Sequence, residues 1–157
     1  MADIPKNMQI FDLVTLRILE RLYEAFPMPI EITPGSIGIE ITSDVATSDD
    51  AWSAISVADA TLPWLANEGF LRYETVTNVG TFREVQLTLK GLSILGSVPL
   101  SITQSEVPEP IIKKVKKVLT SGAEKAGADA VKAVLNEVFR LAMNAPNILS
   151  SAGGISV

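Results

Sequence analysis

Apolar residues Phe11, Val14, Ile18, Leu22 and Phe26, flanked by Leu19 and Tyr23, recur three or four positions apart, with Asp12, Glu20, Arg21 and Glu24 between them. That spacing predicts an amphipathic helix over 10–26 whose apolar stripe faces a core. Pro27 and Pro29 stop it, because proline carries no amide hydrogen and restricts the residue before it. Ile30–Ile32 then suits a short strand, and Pro34-Gly35 followed by Gly38 reads as turn and loop. Ile37, Ile39 and Ile41 alternate with Gly38 and Glu40, a period of two that predicts another half-buried strand.

The pattern returns to helix after Thr47 or Ser48, either of which can cap a segment over 49–56 that opens with Asp49 and Asp50. Ser56 with Asp59 three residues on resembles a capping box, so a separate helix is predicted over 57–68, closed by Gly69 as a left-handed cap. Pro63 bears on where that helix begins. In mid-helix it removes a hydrogen bond, whereas with Thr61 as the cap it falls in the first turn. Strands follow over 71–77 and 82–88, joined by Asn78-Val79-Gly80, and Thr88 is placed to cap a short helix through Leu89, Leu92 and Leu95.

Residues 101–110, ending in Val107-Pro108-Glu109-Pro110, read as a linker. Beyond it Ile112, Val115, Leu119, Ala126, Ala130, Val134, Val138 and Leu141 fall at helical spacing, which predicts one long amphipathic helix over 111–145. Gly122 and Gly127 weaken it, each by about 1 kcal/mol relative to Ala. The organisation expected is a folded domain over 1–100, the linker, this helix, and a flexible tail over 146–157.

The run Trp64-Leu65-Ala66-Asn67-Glu68-Gly69-Phe70-Leu71 resembles the end of a winged-helix recognition helix entering its first wing strand. Leu87-Thr88-Leu89-Lys90-Gly91-Leu92 is similar to the stretch that closes many such wings. With the first helix included, the resemblance covers about residues 8–98, and the whole resembles uncharacterised bacterial winged-helix proteins that carry a C-terminal helix rich in small residues. It implies an α+β fold, a three-helix core plus a two-stranded wing, with a long C-terminal α-helix appended. It also implies a recognition helix lying in the DNA major groove and a wing that touches phosphates.

Charge works against that last implication. The chain of 157 residues has a formal net charge of −5 and contains neither Cys nor His. Residues 1–100 hold 6 Lys/Arg against 13 Asp/Glu, whereas 101–157 hold 7 against 5. The recognition segment 57–68 has no cation and carries Asp59 and Glu68, while Arg72 and Arg83 in the wing are offset by Glu74 and Glu84. DNA affinity depends on Lys and Arg neutralising phosphates, so nucleic acid is disfavoured as a partner. Missing Cys and His remove thiolate chemistry, disulfides and the commonest general base and metal ligand, so no enzyme and no cofactor are expected. Neither a secretory start nor a membrane span is present in the pattern, and a cytoplasmic protein is expected.

The candidate chemistry is therefore that of surfaces. Trp52 and Trp64 are expected in the core with Ile55, Leu62 and Leu65. Asp44, Asp49 and Asp50 lack the alternation and central glycine of a calcium loop and read as helix caps, and Pro34-Gly35-Ser36-Ile37-Gly38 lacks the Gly-Lys-Ser/Thr ending of a phosphate loop and reads as a turn. Arg72, Tyr73, Arg83 and the run Lys113, Lys114, Lys116 and Lys117 form the candidate interaction surface. Val115, Leu119, Gly122, Ala126, Ala130, Val134 and Val138 form an apolar, small-residue stripe that must be buried, and self-association is the expected means, ahead of packing back onto the same chain. The function expected is a non-catalytic protein-interaction or regulatory module, a homo-oligomer with an unidentified protein partner; the alternative is a DNA-binding transcriptional regulator.

Overall fold

The computed structural model describes residues 4–42, 48–98 and 109–155, with side chains described at all of these but 42, 48–50, 121–126 and 145–155. In chain order the elements are α1 (Lys6–Ala25), β1 (Ile30–Ile32), α2 (Pro34–Thr42), α3 (Ser48–Asn67), β2 (Leu71–Arg72), β3 (Thr75–Val76), β4 (Phe82–Leu87), α4 (Leu89–Gly96) and α5 (Ile111–Ile155). The fold is α+β, mostly helical, with one small antiparallel sheet in which β4 runs between β1 and β2 and also pairs β3.

Helix α1 is the axle. It starts at Lys6, earlier than the periodicity predicts, with the Pro5 carbonyl accepting from the Met8 and Gln9 amides at 3.0 Å. Its Val14, Leu16, Ile18, Leu19 and Leu22 are buried, and it touches every other helix. At about 1.5–3 kcal/mol for each large apolar side chain taken fully out of water, this stripe is the main driving force for assembling the rest around it.

The segment 34–42 corrects the sequence reading twice. It is neither loop nor strand but helix, with Pro34 at its first position, where a fixed φ and a missing amide cost nothing. Its glycines are there for contact. A Cβ at Gly38 would stand 2.7 Å from the Ala54 carbonyl oxygen, so α2 and α3 meet backbone to backbone. Local β propensity in Ile37–Ile41 is overruled by that packing.

Nor are 49–56 and 57–68 separate helices. α3 is continuous from Ser48 to Asn67 with Pro63 inside it, and the capping box at Ser56 is not used. Thr61 does not cap; its hydroxyl donates back to the Val57 carbonyl at 2.7 Å, a turn earlier in the same helix. The predicted end does hold. Gly69 has φ +86°, and the Phe70 amide donates to Leu65 and the Gly69 amide to Ala66, each at 3.0 Å, which is a Schellman closure.

The hairpin is shorter than the two predicted strands, since pairing lapses between β2 and β3, across from Glu84, a non-glycine residue at φ 57°. Its turn is held by Gly80 at φ +82° and by the Thr77 amide on the Thr81 carbonyl at 2.9 Å. Thr88 caps α4, its side chain accepting from the Gly91 amide at 3.1 Å.

The largest departure is in α5. Lys114 Nζ lies 3.2 Å from the Glu137 carboxylate, 23 residues along the chain. At 1.5 Å per residue a straight helix would hold them about 35 Å apart. The chain therefore doubles back between Lys114 and Glu137, a stretch that contains Gly127 at φ +78°. The first arm packs on α4 and the C-terminal end of α1: Ile111 donates its amide to the Ser97 carbonyl at 3.0 Å, and Lys116 pairs with Glu24. The second arm returns along the N-terminal half of α1, where Lys132 Nζ is 3.3 Å from Asp12. Helix continues to Ile155, beyond residue 145 where the sequence reading ends it and into the span read as a flexible tail. Most of the predicted linker, and the caps proposed at Asp44, Thr47, Asp49 and Asp50, lie outside the described residues or side chains.

Candidate interaction surface

Two kinds of residue line the turns of α3. Ala54, Ala58, Leu62 and Leu65 face inward and are buried, so the side nearest α2 begins with alanines small enough for the close approach at Gly38. Trp52, Ser56, Ala60 and Trp64 follow one another at intervals of four on the outward side, where such spacing stacks side chains on one face. Both tryptophans, expected in the core, are therefore displaced outward: Trp52 is 69% exposed and Trp64 40%. Asp59, Asn67 and Glu68 are exposed beside them, and no Lys or Arg occurs anywhere in Ser48–Asn67.

Trp64 is not isolated. Its ring meets Phe11 of α1 edge to face at 5.4 Å and Phe139 of α5 at 5.8 Å, while Phe11 and Phe139 are themselves 6.3 Å apart. These separations suit the edge-on attraction between aromatic quadrupoles. Together with Met8 and Val57 the three rings wall a groove of about 480 Å³. Sequence reasoning missed this site because Phe139 falls off the apolar stripe of its helix and nothing in the pattern pairs it with Phe11.

The other candidate residues are mostly engaged with their own chain. Arg72 donates to Gln86 at 2.8 Å and Arg83 lies 3.5 Å from Glu31. Tyr73 packs edge-on against Phe82 at 4.8 Å and is half-buried. Within the lysine run, Lys113 is exposed, whereas Lys114 pairs with Glu137, Lys116 with Glu24 and Lys117 with Glu109. The structure thus joins the lysines to acidic groups of α1, of α5 and of the segment just before it, instead of gathering them into a basic stripe with Arg72 and Arg83.

The C-terminal stripe is covered in part. Val115, Val134 and Val138 are buried within the single chain, Leu119 and Ala130 are half-buried, and Gly122 and Ala126 lie outside the residues whose side chains are described. The premise for self-association, an apolar stripe left without cover, does not hold for its three valines, because the reversal near Gly127 turns the stripe onto α1 and α4.

The packing displaces the titration of a carboxyl on α1. Burial raises the Asp12 carboxyl above its ordinary value near 3.8, and the charge and hydrogen bond of Lys132 pull it back only in part. Among the described residues no group of three or more His, Cys, Asp or Glu could hold a metal ion, and no helix is long and apolar enough to cross a membrane.

Comparison with known proteins finds no matching family model, no matching curated protein and no matching solved structure.

Proposed function

We propose that the chain is a winged helix used as a non-catalytic protein-docking module. The winged-helix reading is supported by the order of elements, helix, strand, two helices and hairpin, with β4 between β1 and β2 and α3 presented outward. The docking reading rests on one observation: the outward face of α3 offers Trp52, Ser56, Ala60 and Trp64 with Asp59, Ser48–Asn67 contains no Lys or Arg, and the one cation described at its C-terminal end, Lys90, is bonded to the Glu68 carbonyl at 2.8 Å. Exposed tryptophan is the residue from which protein interfaces draw the most binding energy, and a duplex would meet carboxylates there. The DNA-binding alternative places this same face in the major groove.

Two measurements separate them. Fluorescently labelled duplex at low salt should show no binding that falls steeply as salt is added; such binding would overturn the docking reading. A photo-crosslinking amino acid in place of Ser56, exposed between the two tryptophans, should give discrete protein adducts in cells, whereas the same group at Met28, 68% exposed but remote in sequence from α3, should not. Equal labelling at both positions would count against a specific face.

A further inference from the structure

The groove beside Trp64 carries an inference that goes beyond protein docking and does not rest on it. We propose that it binds a neutral, flat aromatic molecule of two or three rings. The volume, about 480 Å³, falls in the range of roughly 300–1,000 Å³ usual for small-ligand sites. Phe11, Trp64 and Phe139 come from three different helices, so the rings are held by the fold and are not adjacent by accident of sequence.

Chemistry of the lining narrows the occupant. Met8, Val57 and Ala60 complete an apolar wall, and the polar groups present are the Asn7 amide and the Thr61 hydroxyl. Among the described residues none that lines the groove is charged, so an ionic ligand would leave its hydration without a counter-charge from them in return. A π-system, by contrast, can meet ring edges and a methionine sulfur, both favourable partners for an aromatic face. The Thr61 hydrogen is committed to Val57, which leaves its oxygen only as an acceptor, so a hydroxyl or N–H on the ligand is tolerated better than a carbonyl.

The test uses the full chain and N-phenyl-1-naphthylamine, a neutral aromatic dye whose emission rises in apolar surroundings. The chain has 2 tryptophans, so Trp52→Phe leaves Trp64 as the only indole. Titration of this variant should show saturable binding of one dye per chain, with Trp64 emission quenched by energy transfer. Ala60→Phe adds a ring to the groove from an exposed helical position and should weaken binding by about tenfold or more, while Val79→Ser at the wing turn should leave it unchanged. Circular dichroism on each variant establishes that it is folded. Absence of saturable binding, or binding undiminished in folded Ala60→Phe, would overturn the proposal. So would light scattering that finds a dimer dissociated by the dye, since a second copy of the chain would then be the occupant.

Discussion

The outward face of α3 and the apolar stripe of α5 exchange the roles that their patterns suggest. The face of α3 holds two tryptophans that periodicity assigns to the core, yet the fold leaves Trp52 mostly in solvent. The stripe of α5 has the pattern of a surface in want of a partner, yet Val115, Val134 and Val138 are inside the monomer. The difference lies in what each helix meets. α3 is approached on its inner side by α2 at backbone contact, which only alanine-sized neighbours permit, and its large rings are left to the other side. α5 doubles back and finds α1.

This contrast can be broken most directly by truncating each side. Leu135 in the second arm of α5 is fully buried, and Leu135→Ala should cost about 3 kcal/mol in urea denaturation. A loss near zero would mean that the arm is not part of the core. A smaller effect is expected at the contact joining that arm to α1. Lys132→Met removes the cation beside buried Asp12 and should cost about 1–2 kcal/mol at neutral pH, discounted because Lys132 is itself 28% exposed.

The pH dependence of that cost has a definite sign. Asp12 holds its proton to a higher pH in the fold than in the unfolded chain, so over the interval above 3.8 the folded state binds more protons. Its contribution to stability accordingly rises on acidification through that interval and falls as pH increases. The penalty of Lys132→Met should shrink as pH is lowered into the interval, and Asp12→Asn should abolish this part of the pH dependence. A penalty that grows with acid would contradict a buried, desolvated carboxyl at this position.

The smallest stability effect sharpens the other side of the contrast. Trp52→Ala should change the unfolding free energy by no more than about 0.5 kcal/mol, while removing the protein adducts expected from the α3 face. A loss comparable to that of Leu135→Ala would return Trp52 to the core.

Much of the fold was legible where the signal is local. The proline stop after α1, the glycine closure of α3 at Gly69, the turn at Gly80 and the threonine cap of α4 all depend on groups within a few residues, and each occurs where the sequence places it. What failed was the assignment of faces and partners. Periodicity states that Trp52, Ser56, Ala60 and Trp64 share a side of a helix, but not which side meets the core. Likewise Ile37–Ile41 alternates as a strand would, and only the distant Ala54 carbonyl explains why Gly38 sits in a helix instead. The reversal in α5 left only glycines as its mark, and these read equally as weak points in a straight helix. The aromatic groove draws on residues more than a hundred positions apart, beyond the reach of any pattern in one segment.

The contact at Gly38 has a mechanical consequence. Where helices meet through side chains, a push on one can be absorbed by rotamers settling into new positions. Here a carbonyl rests against a bare Cα, and there is nothing between them to yield. α2 and α3 therefore behave as a single stiff plate. A load placed on Trp52 or Trp64 passes through α2 to the short strand just before it, and through α3 to α1, as a displacement of the whole plate and not as a local rearrangement beneath the ring.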